Sequence, residues 1–123
     1  MSYQLQVENF IILTYSGMVG FDERMQAAED LVKLVSKQKQ QAKSLLVDCR
    51  KLENQMTEDD EEKFGKFIAK NPILSGLRKV ALVHNVKHSP TPHLQYSAYA
   101  NGLNIVPFHS YYDAKSWLDG SLP

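Results

Sequence analysis

The run Phe10-Ile11-Ile12-Leu13-Thr14-Tyr15 is apolar at odd and even positions alike. A strand with one wet face alternates, whereas a strand covered on both sides does not, so this run predicts an interior strand of a covered sheet. Just before it, Tyr3, Leu5 and Val7 alternate with Gln4, Gln6 and Glu8, the period of two of a half-buried edge strand. Asn9 turns one strand into the next, and Ser16-Gly17 is expected to end the second.

From Phe21 to about Gln40 the period becomes helical. Met25, Ala28, Leu31, Val32 and Val35 form one stripe, with Glu29, Lys33 and Lys37 on the outer face. Acids lead and lysines (33, 37, 39 and 43) trail, which complements the helix dipole. Ser44-Leu45-Leu46-Val47-Asp48 reads as a second buried strand, followed by a polar connection. Thr57 then caps a helix whose first turn is acidic, whose buried face carries Phe64, Phe67 and Ile68, and which Asn71-Pro72 stops. Ile73 to Leu77 is a short apolar connector, and Lys79-Val80-Ala81-Leu82-Val83-His84 is a third buried strand. Thr91-Pro92 opens a helix that Asn101-Gly102 closes. In Asn104-Ile105-Val106-Pro107-Phe108, Pro107 lacks a ladder donor, so this last strand is expected to lie at a sheet edge or to be ending there. Ser110 and Asp113 have capping spacing, Ala114, Trp117 and Leu118 pin a closing helix, and Gly120 terminates it.

The order is ββαβαβαβα. After the opening hairpin, strands alternate with helices, so the expected class is α/β, with a four- to five-stranded mixed, mostly parallel sheet and about four helices. A chain of 123 residues buries about two-thirds of its extended surface, enough for one real core, and residues 1–123 read as a single domain. The 14 Lys plus Arg balance 14 Asp plus Glu, which argues against a general binder of nucleic acid or of anionic membranes. Cys49 is the lone cysteine, the stretch Met1 to Glu8 lacks the pattern of a signal peptide, and no apolar run approaches a membrane span. The expectation is a soluble, cytoplasmic protein.

The strand and turn Ile12-Leu13-Thr14-Tyr15-Ser16-Gly17, the strand Leu45-Leu46-Val47-Asp48-Cys49-Arg50, the strand Lys79-Val80-Ala81-Leu82-Val83, and the closing Phe108, Ala114 and Trp117-Leu118 come in a telling order and spacing. In these features the chain resembles, over nearly its whole length, the SpoIIAA-like proteins of the STAS and CRAL-TRIO type. The resemblance implies a sheet whose first strand is antiparallel at one edge, with helices packed on it. It also implies binding: phosphorylation-controlled partner binding, as in the anti-sigma antagonists, or lipid carriage, as in the larger CRAL-TRIO domains. In the antagonists a phosphorylatable serine sits in an Asp-Ser-Ser-Gly-type motif at the start of the helix after the third strand. Here Cys49 to Thr57 holds no such motif. Thr57, the nearest hydroxyl, reads as a cap committed to backbone donors, and phosphate beside Glu58, Asp59 and Asp60 would meet like charge.

In mainly parallel sheets, ligands favour the carboxyl ends of strands. Those ends place Tyr15, Ser16, Asp48, Cys49, Arg50, His84, Asn85 and His109 on a candidate ligand rim. Cys49 with His84 or His109, oriented by Asp48, would be a thiol-imidazole pair, but no nucleophile elbow or family signature surrounds Cys49, which reads as apolar filler. His84, His88 and His93 have gaps compatible with zinc, yet no second cluster supplies a fourth ligand, so no metal and no cofactor is expected. The acids Glu58 to Glu62 read as a solvated first turn. Tyr96, Tyr99, Tyr111 and Tyr112 exceed what the neighbouring buried faces need and form a candidate interface. The expected function is therefore a non-enzymatic module for protein contact or self-association as a homo-oligomer. A carrier of a small lipid-like ligand is the alternative, and a thiol enzyme using Cys49 is the third.

Overall fold

In the computed structural model, which describes residues 3–37, 44–85 and 92–120, five strands form one sheet in the spatial order of the chain. Strand β1 (Tyr3–Val7) pairs antiparallel with β2 (Ile11–Val19), and β3 (Ser44–Asn54), β4 (Lys79–Val83) and β5 (Ile105–Phe108) add in parallel. The edges are the two read from sequence, alternating β1 and proline-bearing β5. Helices α1 (Phe21–Lys37), α2 (Glu58–Lys70), α3 (Pro92–Ala100) and α4 (Tyr111–Leu118) link and cover the strands, and a short 3-10 turn spans Leu74–Gly76.

Alternation along the strands sorts the core into two layers. On one face Ile11, Leu13, Leu45, Val80, Leu82 and Ile105 pack with Ala28 and Leu31 of α1, Phe64 of α2 and Leu94 and Ala98 of α3. On the other face Ile12, Leu46, Ala81 and Val83 meet Ala114 of α4, with Phe108, Tyr111, Trp117 and Leu118 around them. Residues 11–13 and 45–46 are buried on both sides, which is why those runs do not alternate.

The caps form as the spacing predicts. Asp60 N donates to Thr57 Oγ1 at 3.1 Å and Thr57 N donates to the Asp60 carboxylate at 3.4 Å, a reciprocal capping box. Asp113 N donates to Ser110 Oγ at 3.1 Å at the start of α4. Gly65 marks where α2 and α3 touch: a Cβ there would lie 2.6 Å from the Leu94 carbonyl oxygen and 3.0 Å from Ala98 N.

Two strands outrun their expected ends. Strand β2 does not stop at Ser16-Gly17 but continues to Val19 after an irregularity between Thr14 and Ser16, and β3 runs past Asp48 to Asn54 beside it. Ser16, Gly17, Met18, Lys51 and Glu53 are exposed, so this ribbon lacks the burial contrast that makes a strand visible in sequence. Helix α1 is described to Lys37; the expected continuation to Gln40, with Lys39 and Lys43, lies outside the described residues, as do Lys87, His88 and Thr91. No helix among the described residues is long and apolar enough to cross a membrane.

Candidate functional site

The longer strands redraw the expected rim. Tyr15, Ser16, Asp48, Cys49 and Arg50 lie within β2 and β3 rather than at their carboxyl ends; His84, Asn85 and His109 do follow the ends of β4 and β5. Successive residues of a strand face opposite sides, and that separates Asp48 from Cys49.

Asp48 belongs to the polar cluster on the α4 side. Its carboxylate accepts from Arg50 Nε at 2.9 Å, Arg50 Nη2 at 2.8 Å and Arg50 N at 3.1 Å. The Arg50 guanidinium lies 4.7 Å from the Tyr111 ring centre, and hydrogen bonding to Asp48 holds its pKa above the usual range. Beyond β4, His84 is buried and donates through N to Phe108 O at 3.0 Å and through Nδ1 to Asn85 O at 2.9 Å. The exposed His109 meets its ring edge-on at 4.6 Å. Lys79 Nζ donates to Trp117 O at 2.7 Å, joining β4 to the end of α4. Arg50 and Lys79 thus reach the closing helix, through Tyr111 and Trp117, while His84 ties the end of β4 to β5.

Cys49 belongs to the other layer and is 1 % exposed. Burial pushes its thiol up to about 12, against the opposing pull of Arg24, so it stays protonated at neutral pH. With Asp48 bound to Arg50 on the opposite face, the thiol, imidazole and orienting carboxylate weighed as the third reading are not assembled. Cys49 packs as the filler its surroundings suggest.

A group that the sequence reading passed over stands next to it. Arg24, in the first turn of α1, is 2 % exposed. Its guanidinium carbon lies 4.6 Å from the ring centre of Tyr15, itself 2 % exposed, and burial pushes the Tyr15 phenol well above its ordinary range. Arg24 Nε and Nη2 have no hydrogen-bond partner among the described residues. Both side chains line a cavity of about 60 Å³ whose other walls are apolar, among them Leu31, Leu45, Phe64 and Leu82. The available signal was periodicity: Arg24 falls four residues before Ala28 and seven before Leu31, on the buried stripe.

The tyrosines divide between the layers. Tyr96 and Tyr99 share one side of α3 and are 75 % and 67 % exposed; Tyr112 of α4 is 76 % exposed but belongs to the opposite layer. Tyr111 is half-buried beneath Arg50. Beside Tyr96, a surface groove of about 440 Å³ between α2 and α3 is lined also by Asp59, Glu62, Lys63 and Lys66. The acidic run is not wholly solvated. Glu61 is buried and accepts from Leu94 N at 3.3 Å, serving a free donor in the first turn of α3. Ser97 Oγ donates to Glu62 O at 2.7 Å, and His93 Nε2 lies 3.3 Å from Glu58. Among the described residues no three His, Cys, Asp or Glu side chains gather as a metal cluster, and His88 lies outside them.

No family model matches the chain, and no curated protein sequence does either. Solved structures do. An uncharacterized DUF3478-family protein with a SpoIIAA-like fold from Shewanella loihica PV-4 is similar with a TM-score of 0.60 at 15% identity, over 94% of this chain and 91% of that one. The anti-sigma factor antagonist SpoIIAA in its unphosphorylated form is similar with a TM-score of 0.58 at 13% identity, over 96% of each chain. With the antiparallel first strand, the parallel remainder and the two helical layers, the chain has the SpoIIAA-like fold.

Proposed function

We propose that residues 1–123 act as one non-enzymatic, cytoplasmic module whose function is to bind a protein, through the groove between α2 and α3. The observation that carries this reading is the pair Tyr96 and Tyr99, three-quarters and two-thirds exposed on one side of α3. Tyrosine offers a large, fairly rigid apolar face with a polar tip, and that combination is enriched at protein interfaces. Asp59, Glu62, Lys63 and Lys66 give the groove both signs of charge, which suits a mixed polypeptide surface better than a polyanion. The shared fold agrees, since the SpoIIAA of the comparison is by its name an antagonist of another protein, an anti-sigma factor. Tyr111, held beneath Arg50, and Tyr112, on the opposite layer, fall outside this surface. Thr57 serves as the α2 cap.

A photo-crosslinking residue placed at position 96, in cells of the source organism, tests the contact. The expected result is one discrete adduct, either with a second copy of the chain or with one foreign protein. The same residue at position 112 should give none. Equal labelling from both positions, or none from position 96, would contradict the reading.

A further inference from the structure

Arg24 is a cation placed where a cation is costly. It is 2 % exposed, two of its nitrogens have no hydrogen-bond partner, and no carboxylate forms an ion pair with it among the described residues. Guanidinium does not shed its proton in proteins, so neutralisation is not open to it. The face of Tyr15 offsets only part of the burial cost. The position in the first turn of α1 adds to that cost, because the positive end of the helix dipole lies there. Acids of the same helix are engaged elsewhere: Glu23 Oε1 accepts from Gly20 N at 3.3 Å, and Asp30 accepts from Tyr3 Oη through one oxygen and from Gln26 Nε2, at 3.1 Å, through the other.

The surroundings specify what would complete the site. Arg24 and Tyr15 offer polar groups enough for a single buried water beside the guanidinium, whereas every other residue lining the cavity is apolar and gives the rest of its volume no polar partner. An anion with an apolar tail fits both halves. Nε and Nη2 form the edge of the guanidinium that meets a carboxylate through two parallel hydrogen bonds, and one cation balances one carboxylate charge. A phosphate would bring a second charge with no second cation on the cavity wall. At roughly 10–15 Å³ per water-sized group, a cavity of about 60 Å³ accepts a short chain.

We infer that the cavity between the sheet and α1–α3 is a binding site for a short-chain aliphatic carboxylate. Its carboxylate pairs with Arg24 Nε and Nη2, and its alkyl tail packs among Leu31, Leu45, Phe64 and Leu82. The site is internal, separate from the exposed surface of Tyr96 and Tyr99, so its failure leaves the proposed protein contact standing.

Titration calorimetry on the full chain with butyrate, neutral butyramide and inorganic phosphate is the test. The expected result is saturable 1:1 binding of butyrate, butyramide at least about tenfold weaker, and no saturable binding of phosphate. Arg24→Met should weaken butyrate by at least about tenfold while the circular dichroism spectrum is unchanged. Should that variant not fold, the wild-type series decides alone. Butyramide or phosphate binding as well as butyrate would overturn the assignment, as would the absence of saturable butyrate binding or full affinity in a folded Arg24→Met protein.

Discussion

Arg24 and Arg50 lie over tyrosine rings at nearly equal distances, 4.6 Å and 4.7 Å, on opposite layers of the same sheet. Arg50 is half-exposed and has a carboxylate matched to it through both nitrogens of one edge. Arg24 is buried and has neither carboxylate nor hydrogen bonds on that edge. By desolvation alone the order should be the reverse, since the buried charge needs a partner most. The difference teaches that the two layers treat a buried or half-buried cation differently. On the α4 layer the polar groups close on one another and fasten the last helix. On the layer of α1–α3 a charge is left open beside an apolar cavity.

The largest expected effect comes from disturbing the seam that covers Arg24's side. Gly65→Ala gains up to about 1 kcal/mol of helix propensity. Against it, a Cβ 2.6 Å from the Leu94 carbonyl oxygen and 3.0 Å from Ala98 N meets backbone, which cannot swing aside as a side chain would. Displacing α3 should dominate, for a net loss of about 3 kcal/mol in urea unfolding. A loss below about 1 kcal/mol would mean that α2 and α3 are not held together as described.

Arg50→Met comes next. It removes two charge-assisted bonds to the buried Asp48, but Arg50 is half-exposed and the Arg50 N contact survives. The expected loss is about 1–2 kcal/mol, discounted for screening, and it should shrink in high salt. No loss would remove the contrast with Arg24.

The smallest effect concerns Tyr3, whose hydroxyl occupies Asp30. Hydrogen bonding to that carboxylate raises the phenol to about 12 from its usual value near 10. Because the folded pKa lies above the unfolded one, this stabilisation is complete below about pH 10 and is lost as pH rises through about 12. Tyr3 lies on the edge strand and is only partly buried, so solvent screening holds the contribution to about 1 kcal/mol. Tyr3→Phe should flatten the alkaline slope of stability between those pH values. An unchanged slope would show that Asp30 is not engaged as described.

Much of the layout was legible because burial and backbone chemistry leave local marks. Phe10 to Tyr15 does not alternate because both faces are covered; Pro107 lies in an edge strand because it has no donor; Thr57 and Ser110 accept the bonds their spacing predicts. What was not legible depends on the third dimension. Tyr96 and Tyr99 part from Tyr111 and Tyr112 because α3 and α4 cover opposite faces of the sheet, a choice no local pattern records. Asp48 and Cys49, adjacent in sequence, part for the reason every strand neighbour does. Glu61 resembled its solvated neighbours until α3 brought Leu94 N to it. Arg24 was within reach of periodicity, yet a single cation on an apolar stripe looks like its edge until the layer above it is built.

The claim that Arg24 is left open, rather than satisfied by the fold, rests most directly on one measurement: the unfolding free energy of Arg24→Met relative to the ligand-free wild-type protein, from urea titration at neutral pH. Methionine fills similar space with no charge to desolvate. If the guanidinium is unpaired, the variant should match the wild type or gain roughly 1–3 kcal/mol. A loss of about 3 kcal/mol or more, as when a paired buried charge loses its partner, would contradict the account.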